Sequence, residues 1–265
     1  VAVSDGSLSS APATGMVTFS DTASGVIWLS TQGDEGNGNS VPGLDADGWD
    51  KDDILQHAGP DFSLGEATTD GTFSIAFDPS NFGVDVDIEG MHFVTSNVTI
   101  GASNSIALQP GDLLLTVDGG KTFTSNGFSP QPDLAVDKED IFFFRPDKTG
   151  DYSTGNFFLL LSDPFQDGAD IWGLTLVEKD VWVGDVQLST GDLLLSRSGG
   201  AEDNDIWMLE TGSLDPAVGS SYPAAKHLVE GDDLGVDIGE KIVGLDVVET
   251  DIWVGGKFLD AGTIL

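Results

Sequence analysis

The chain has 265 residues, 39% of them hydrophobic, and carries 45 Asp plus Glu against 10 Lys plus Arg, a formal charge of −35. That imbalance excludes phosphate backbones and anionic membrane surfaces as partners, and no apolar run approaches the ~18–20 residues of a membrane helix. The absence of cysteine removes disulfides, thiolate metal sites and cysteine nucleophiles.

The chain opens on polar Val1-Ala2-Val3-Ser4-Asp5, as a secreted chain whose leader has been removed would. Residues 1–24 are expected to form an N-terminal extension and 25–265 a single repetitive β domain. Two short elements alternate along that domain. One is a glycine leading an apolar, β-prone run: Gly25-Val26-Ile27-Trp28, Gly71-Thr72-Phe73, Gly111-Asp112-Leu113-Leu114-Leu115, Gly155-Asn156-Phe157-Phe158, Gly191-Asp192-Leu193-Leu194-Leu195 and Gly262-Thr263-Ile264-Leu265. A double gap before Gly262 predicts a worn copy near His227-Leu228-Val229. The other element is an acid followed by Ile, at Asp53-Ile54, Asp87-Ile88, Asp140-Ile141, Asp170-Ile171 and Asp205-Ile206, with Lys241-Ile242 as its sixth copy. Every second copy has a glycine two residues after Ile, at Gly90, Gly173 and Gly244, so the units group into three pairs.

Runs rich in Val, Ile, Phe and Trp and bounded by Gly, Asp and Asn are strands. Continuous runs such as Phe157 to Leu161 lack alternation and predict burial on both faces. Leu134 to Ile141 is the one weak helical candidate. The fold class is therefore all-β, in six degenerate units of about 44 residues, the size of a four-stranded propeller blade. A six-bladed β-propeller is the expected architecture, with a sandwich or solenoid of three two-unit modules as the alternative.

The order G-x-F…F-D…D-I…G-D-L-L-L-S…D-I, over roughly Gly71 to Leu265, resembles a pattern of secreted bacterial surface β-repeat proteins. Separately, Asp45-Ala46-Asp47-Gly48-Trp49-Asp50-Lys51-Asp52-Asp53 resembles the calcium loop of FG-GAP/VCBS propeller repeats. That resemblance implies calcium held by Asp45, Asp47 and Asp53, with Asp50 standing in for the acid expected where Trp49 lies.

Calcium takes six to eight oxygens from closely spaced carboxylates, carbonyls and water. Asp137, Glu139 and Asp140, and likewise Glu202, Asp203 and Asp205, occupy equivalent places in later units and are further candidate ligands. The competing reading of each is a solvated turn acid ahead of a strand. Trp28, Trp172, Trp207 and Trp253 sit inside apolar runs and are expected in the core; Trp49, in an acidic loop, is the candidate exposed aromatic for stacking on a sugar. The three histidines fall in different units without paired spacing, and no nucleophile elbow, phosphate loop or dinucleotide fingerprint occurs. The sequence therefore points to a secreted or cell-surface, non-enzymatic structural protein offset in charge by divalent cations or salt. The alternatives are a carbohydrate- or ligand-binding module and, further off, a hydrolase or lyase. Because Gly262, Thr263, Ile264 and Leu265 duplicate the strand at Gly25, they are candidates for ring closure or for pairing with a second copy.

Overall fold

A computed structural model describes residues 15–19, 26–31, 44, 49–58, 71–199, 204–212, 214, 216, 225–231, 241–254 and 256–265. The described residues are mainly strands and short turns, with a 3-10 turn at Pro79–Phe82. The weak helical candidate is instead the strand Leu134–Val136 followed by a turn.

Three four-stranded antiparallel sheets follow one another along the chain. The first is a meander of β1 (Gly15–Phe19), β2 (Val26–Thr31), β3 (Ile54–Ala58) and β4 (Thr72–Phe77). The second has β5 (Ile88–Phe93), then a small hairpin of β6 (Val98–Ile100) and β7 (Ile106–Leu108), then β8 (Leu113–Val117). A second small hairpin, β9 (Lys121–Phe123) with β10 (Leu134–Val136), precedes β11 (Ile141–Lys148) and β12 (Asp151–Leu161), and the sheet order is β5-β8-β11-β12. The third sheet starts with β13 (Ile171–Leu176), carries the hairpin of β14 (Val181–Val183) and β15 (Val186–Leu188), and continues through β16 (Leu193–Arg197), β17 (Ile206–Leu209) and β18 (Lys226–Val229). Beyond it, residues 242–248 lie against β13, followed by the hairpin β19 (Ile252–Val254) and β20 (Lys257–Leu259). The C-terminal residues pair with 246–248.

Each sheet consumes two of the sequence units. Glycine-led runs supply second strands (β2, β8, β16) and fourth strands (β4, β12), and the worn copy at His227 is the fourth strand β18. Acid-Ile runs supply third strands (β3, β11, β17) and first strands (β5, β13 and the segment at Ile242). Three four-stranded sheets are formed among the described residues, and no closed ring of six. The segment set apart as an extension contributes β1, which pairs with residues 27–31 of β2.

The sheets stack face to face, with a separate core in each interlayer. Trp28, Ile54 and Phe77 of the first sheet meet Leu113, Leu115, Phe142 and Phe144 of the second. The alternate residues of the second sheet, Leu114 and Phe143, point the other way, to Leu174, Leu193 and Leu195 of the third. Leu194 and Met208 in turn face Leu245 and Val247. Central strands are thus apolar on both faces, which is why their sequences run without alternation. The edge strand β12 departs from this: Leu159 is 39% exposed, because only one sheet packs over that part of an edge.

β5 and β13 each start with a bulge. The register slips between Ile88 and Gly90 and between Ile171 and Gly173, taking the Ile carbonyl out of its own ladder. A hydroxyl from the preceding layer donates to that carbonyl instead, Ser30 to Ile88 at 3.1 Å and Thr116 to Ile171 at 2.9 Å, and Ser196 donates likewise to the Ile242 carbonyl at 2.6 Å. Gly90 and Gly173 leave room for this approach. A Cβ on Gly90 would lie 2.5 Å from Thr116 Oγ1 and 3.1 Å from Leu174 Cβ; one on Gly173, 2.5 Å from Ser196 Oγ and 3.3 Å from Leu245 Cβ.

Candidate functional site

The described acids among the proposed calcium ligands lie in or beside turns. Asp53 Oδ2 accepts the Asp50 amide at 3.0 Å while the Asp53 amide donates to the Asp50 carbonyl at 3.0 Å. Asp140 and Asp137 repeat both bonds at 2.9 and 3.0 Å, and Asp140 Oδ1 also accepts the Asp163 amide. Asp205 accepts the Gly231 amide at 3.0 Å and faces His227 Nδ1 at 3.3 Å. Asp112 and Asp192, which were not candidates, close the glycine-led turns in the same way on Gln109 and Ser189. The acid-before-strand pattern thus has a local structural use: it ties the turn that launches each strand.

Glu139 is half-buried beside that turn. Asp45, Asp47, Glu202 and Asp203 lie outside the described residues. Among the described residues no three His, Asp or Glu side chains converge as a metal site. Burial, with repulsion from Asp78, Asp52 and Asp50, raises the Asp53 carboxyl to about 6 against the pull of the Asp50 amide.

Trp49 is half-buried and its indole N–H donates to Thr31 Oγ1 at 2.9 Å. Trp28, Trp172 and Trp207 are in the core. Trp253 is not: it is 68% exposed, because alternate residues of the short β19–β20 hairpin point away from the stack. Gly262, Thr263, Ile264 and Leu265 pair on their own chain, Gly262 N–H donating to the Val248 carbonyl at 2.7 Å and Leu265 exchanging bonds with Asp246. The partners of β2 are β1 and β3.

A buried polar cluster that spacing alone did not disclose lies where the first strands of three layers end. His92 Nδ1 is 3.0 Å from Thr175 Oγ1, which donates to Asp246 Oδ1 at 3.2 Å. His92 Nε2 is 3.1 Å from Glu178 Oε1. Glu178 further accepts the Thr95 amide at 2.7 Å, the Thr95 hydroxyl at 2.9 Å and the Ser96 amide. One layer on, Glu249 accepts the Glu178 amide. Burial pushes the Glu178 carboxyl up, but the His92 bond and charge, with the Ser96 and Thr95 donors, outweigh it and bring it down to about 2. Burial prevails at Glu249, whose carboxyl is raised despite its amide donors.

The chain matches no known protein family, no curated protein and no solved structure.

Hydroxyl, imidazole and carboxylate in line have the outline of a nucleophile–base–acid triad. The surroundings argue against that use. Thr175 is wholly buried and its proton is engaged by Asp246, while Glu178 is committed to donors at 95–96. The cleft that His92, Glu178, Lys179, Asp246 and Glu249 line holds only about 80 Å³, against the 300–1,000 Å³ of ordinary ligand pockets. The cluster clamps layers together. Its sequence signal was the equivalence of His92, Thr175 and Asp246 by register, which is invisible until the strands are stacked.

Proposed function

We propose that this chain is a secreted, non-enzymatic structural protein of a cell surface or extracellular matrix, a stack of two-unit modules whose charge is offset by divalent cations, calcium foremost, or by salt. The observation that carries this reading is the polar bonding between layers. The same hydroxyl-to-carbonyl bond joins three successive interfaces, and the buried acids of the His92 cluster are spent on backbone amides rather than held open for a substrate. An open stack in this arrangement is the solenoid-like alternative to a closed six-bladed ring, and its modules are joined by contacts any further module could also make. A surface carrying −35 keeps copies apart in low salt and lets multivalent cations draw them together.

The test is thermal unfolding in low-ionic-strength buffer with calcium, and again with chelator. Calcium is expected to raise Tm by several degrees and chelator to reverse it, with sodium chloride giving a smaller rise. A Tm unmoved by calcium, chelator and salt alike would sink the reading.

A further inference from the structure

Two short stretches match each other: Asp180-Val181-Trp182-Val183-Gly184 and Asp251-Ile252-Trp253-Val254-Gly255. Val181–Val183 and Ile252–Val254 form the first arms of two hairpins, β14–β15 and β19–β20, each with a two-residue turn. Such turns demand positive φ, supplied by Gly184 at 57° and Gly256 at 78°. The hairpins occupy equivalent places in successive layers, inserted after the first strand of each. The segment just beyond β20 packs on β14: a side chain on Gly262 would collide with the Trp182 carbonyl oxygen.

In each hairpin the middle residue of the first arm faces solvent. Trp182 is 59% exposed and Trp253 68%. Phe258, opposite Trp253 in register and 5.3 Å from it between ring centroids, is 46% exposed. An indole left in water at one such position is unremarkable; two at equivalent positions on tight hairpins are rigid aromatic anchors. A carboxylate stands two residues before each ring. Asp180 is held by the Thr190 amide and hydroxyl at 2.8 and 2.9 Å, and Asp251 by the Ala261 amide at 2.9 Å.

We propose that Trp182 and Trp253 form a two-ring platform for a neutral polysaccharide chain running along the stack. The chemistry selects this occupant. Sugar rings offer apolar C–H faces to aromatic planes and hydroxyl donors to carboxylates beside them, the mix of aromatic wall and few fixed polar groups that sites for such ligands use. A chain charge of −35 repels acidic glycans, nucleic acid and anionic lipid. A protein partner would need a contiguous apolar patch of several hundred Å², whereas here Gln187 faces Trp182 and Lys257 precedes Phe258. The two rings occupy the same register position of hairpins in successive layers, so one chain running along the stack would meet both.

Affinity electrophoresis of the whole chain through gels containing hydroxyethylcellulose, xylan, galactomannan or dextran tests this, with alginate and oligolysine as the charged arms. At least one neutral polymer is expected to retard the chain and shift its tryptophan emission. Trp182→Ala and Trp253→Ala should each weaken retardation about tenfold, as loss of an anchoring aromatic does, and the double variant should abolish it while Tm is kept. Retardation by no neutral polymer, undiminished retardation of the double variant, or binding to oligolysine alone would each overturn the proposal. None of these outcomes depends on calcium, so this test and that of the structural reading fail separately.

Discussion

Glu89 and Glu178 respond to pH in opposite senses. Glu89 has a buried carboxylate oxygen, Oε2, without a hydrogen-bond partner among the described residues, and burial, with Asp118, Asp170 and Asp87 nearby, raises it from an ordinary 4.5 to about 7 in spite of Lys241. A carboxyl raised in the folded state loses stability as pH climbs from its unfolded value through its folded one. Glu89→Gln is therefore expected to stabilise by about 1–3 kcal/mol at pH 8 and to change little at pH 4, read by urea unfolding at both. Glu178, lowered to about 2, contributes stability that is complete above its unfolded value and fades as pH falls from about 4.5 towards 2. Glu178→Gln is expected to cost about 2–4 kcal/mol at pH 7, since amides at 95 and 96 lose an ionised acceptor. That cost should shrink steadily in unfolding curves taken down to pH 3. Neither glutamate stood out in the sequence, where 45 acids look alike until burial separates them. Trp253 misled for a related reason: an apolar run of three residues reads as core, and only the hairpin's alternation turns its middle residue outward.

The strands themselves were legible, because glycine-led and acid-Ile runs carry β-prone residues between turn formers. Their assembly was less so. A unit of about 44 residues suggests a blade, yet each such unit supplies two of the four main strands of a sheet, the glycines at 90 and 173 marking the first strands. Those glycines were visible as a pairing signal without their reason, which is the close approach of Leu174 and Leu245. Gly90→Ala is expected to destabilise by about 1–3 kcal/mol through overpacking, and Thr116→Val by about 1–2 kcal/mol through an orphaned Ile171 carbonyl. Because both act at one contact, the double variant should lose less than the sum. Gly119→Ala, with no atom within 4 Å of an added Cβ, serves as a neutral control in the same denaturant series.

At the scale of the molecule, charge and layering act against each other. Three interlayer cores hold the sheets, while 35 uncompensated negative charges press outward. Sodium chloride at 1 M, where screening falls to about 3 Å from about 30 Å at 0.01 M, is expected to raise Tm in a differential scan, by less than calcium does. An unchanged Tm would mean that the acids are already neutralised locally. The sequence announced the charge at once; it did not show which acids are buried, since that depends on which strands lie inside the stack.

The bonds between layers also run one way. A hydroxyl on each second strand waits for a carbonyl that the next layer brings, and Glu178 reaches back to amides the previous layer has already set. A finished layer is therefore a template, and a bare first strand has little to hold it until it lands on one. Such a chain should fold as a zipper closes, with a growth front moving from the N-terminal sheet onward. Its order of synthesis would then also be its order of assembly, and damage to an early layer would delay every layer after it.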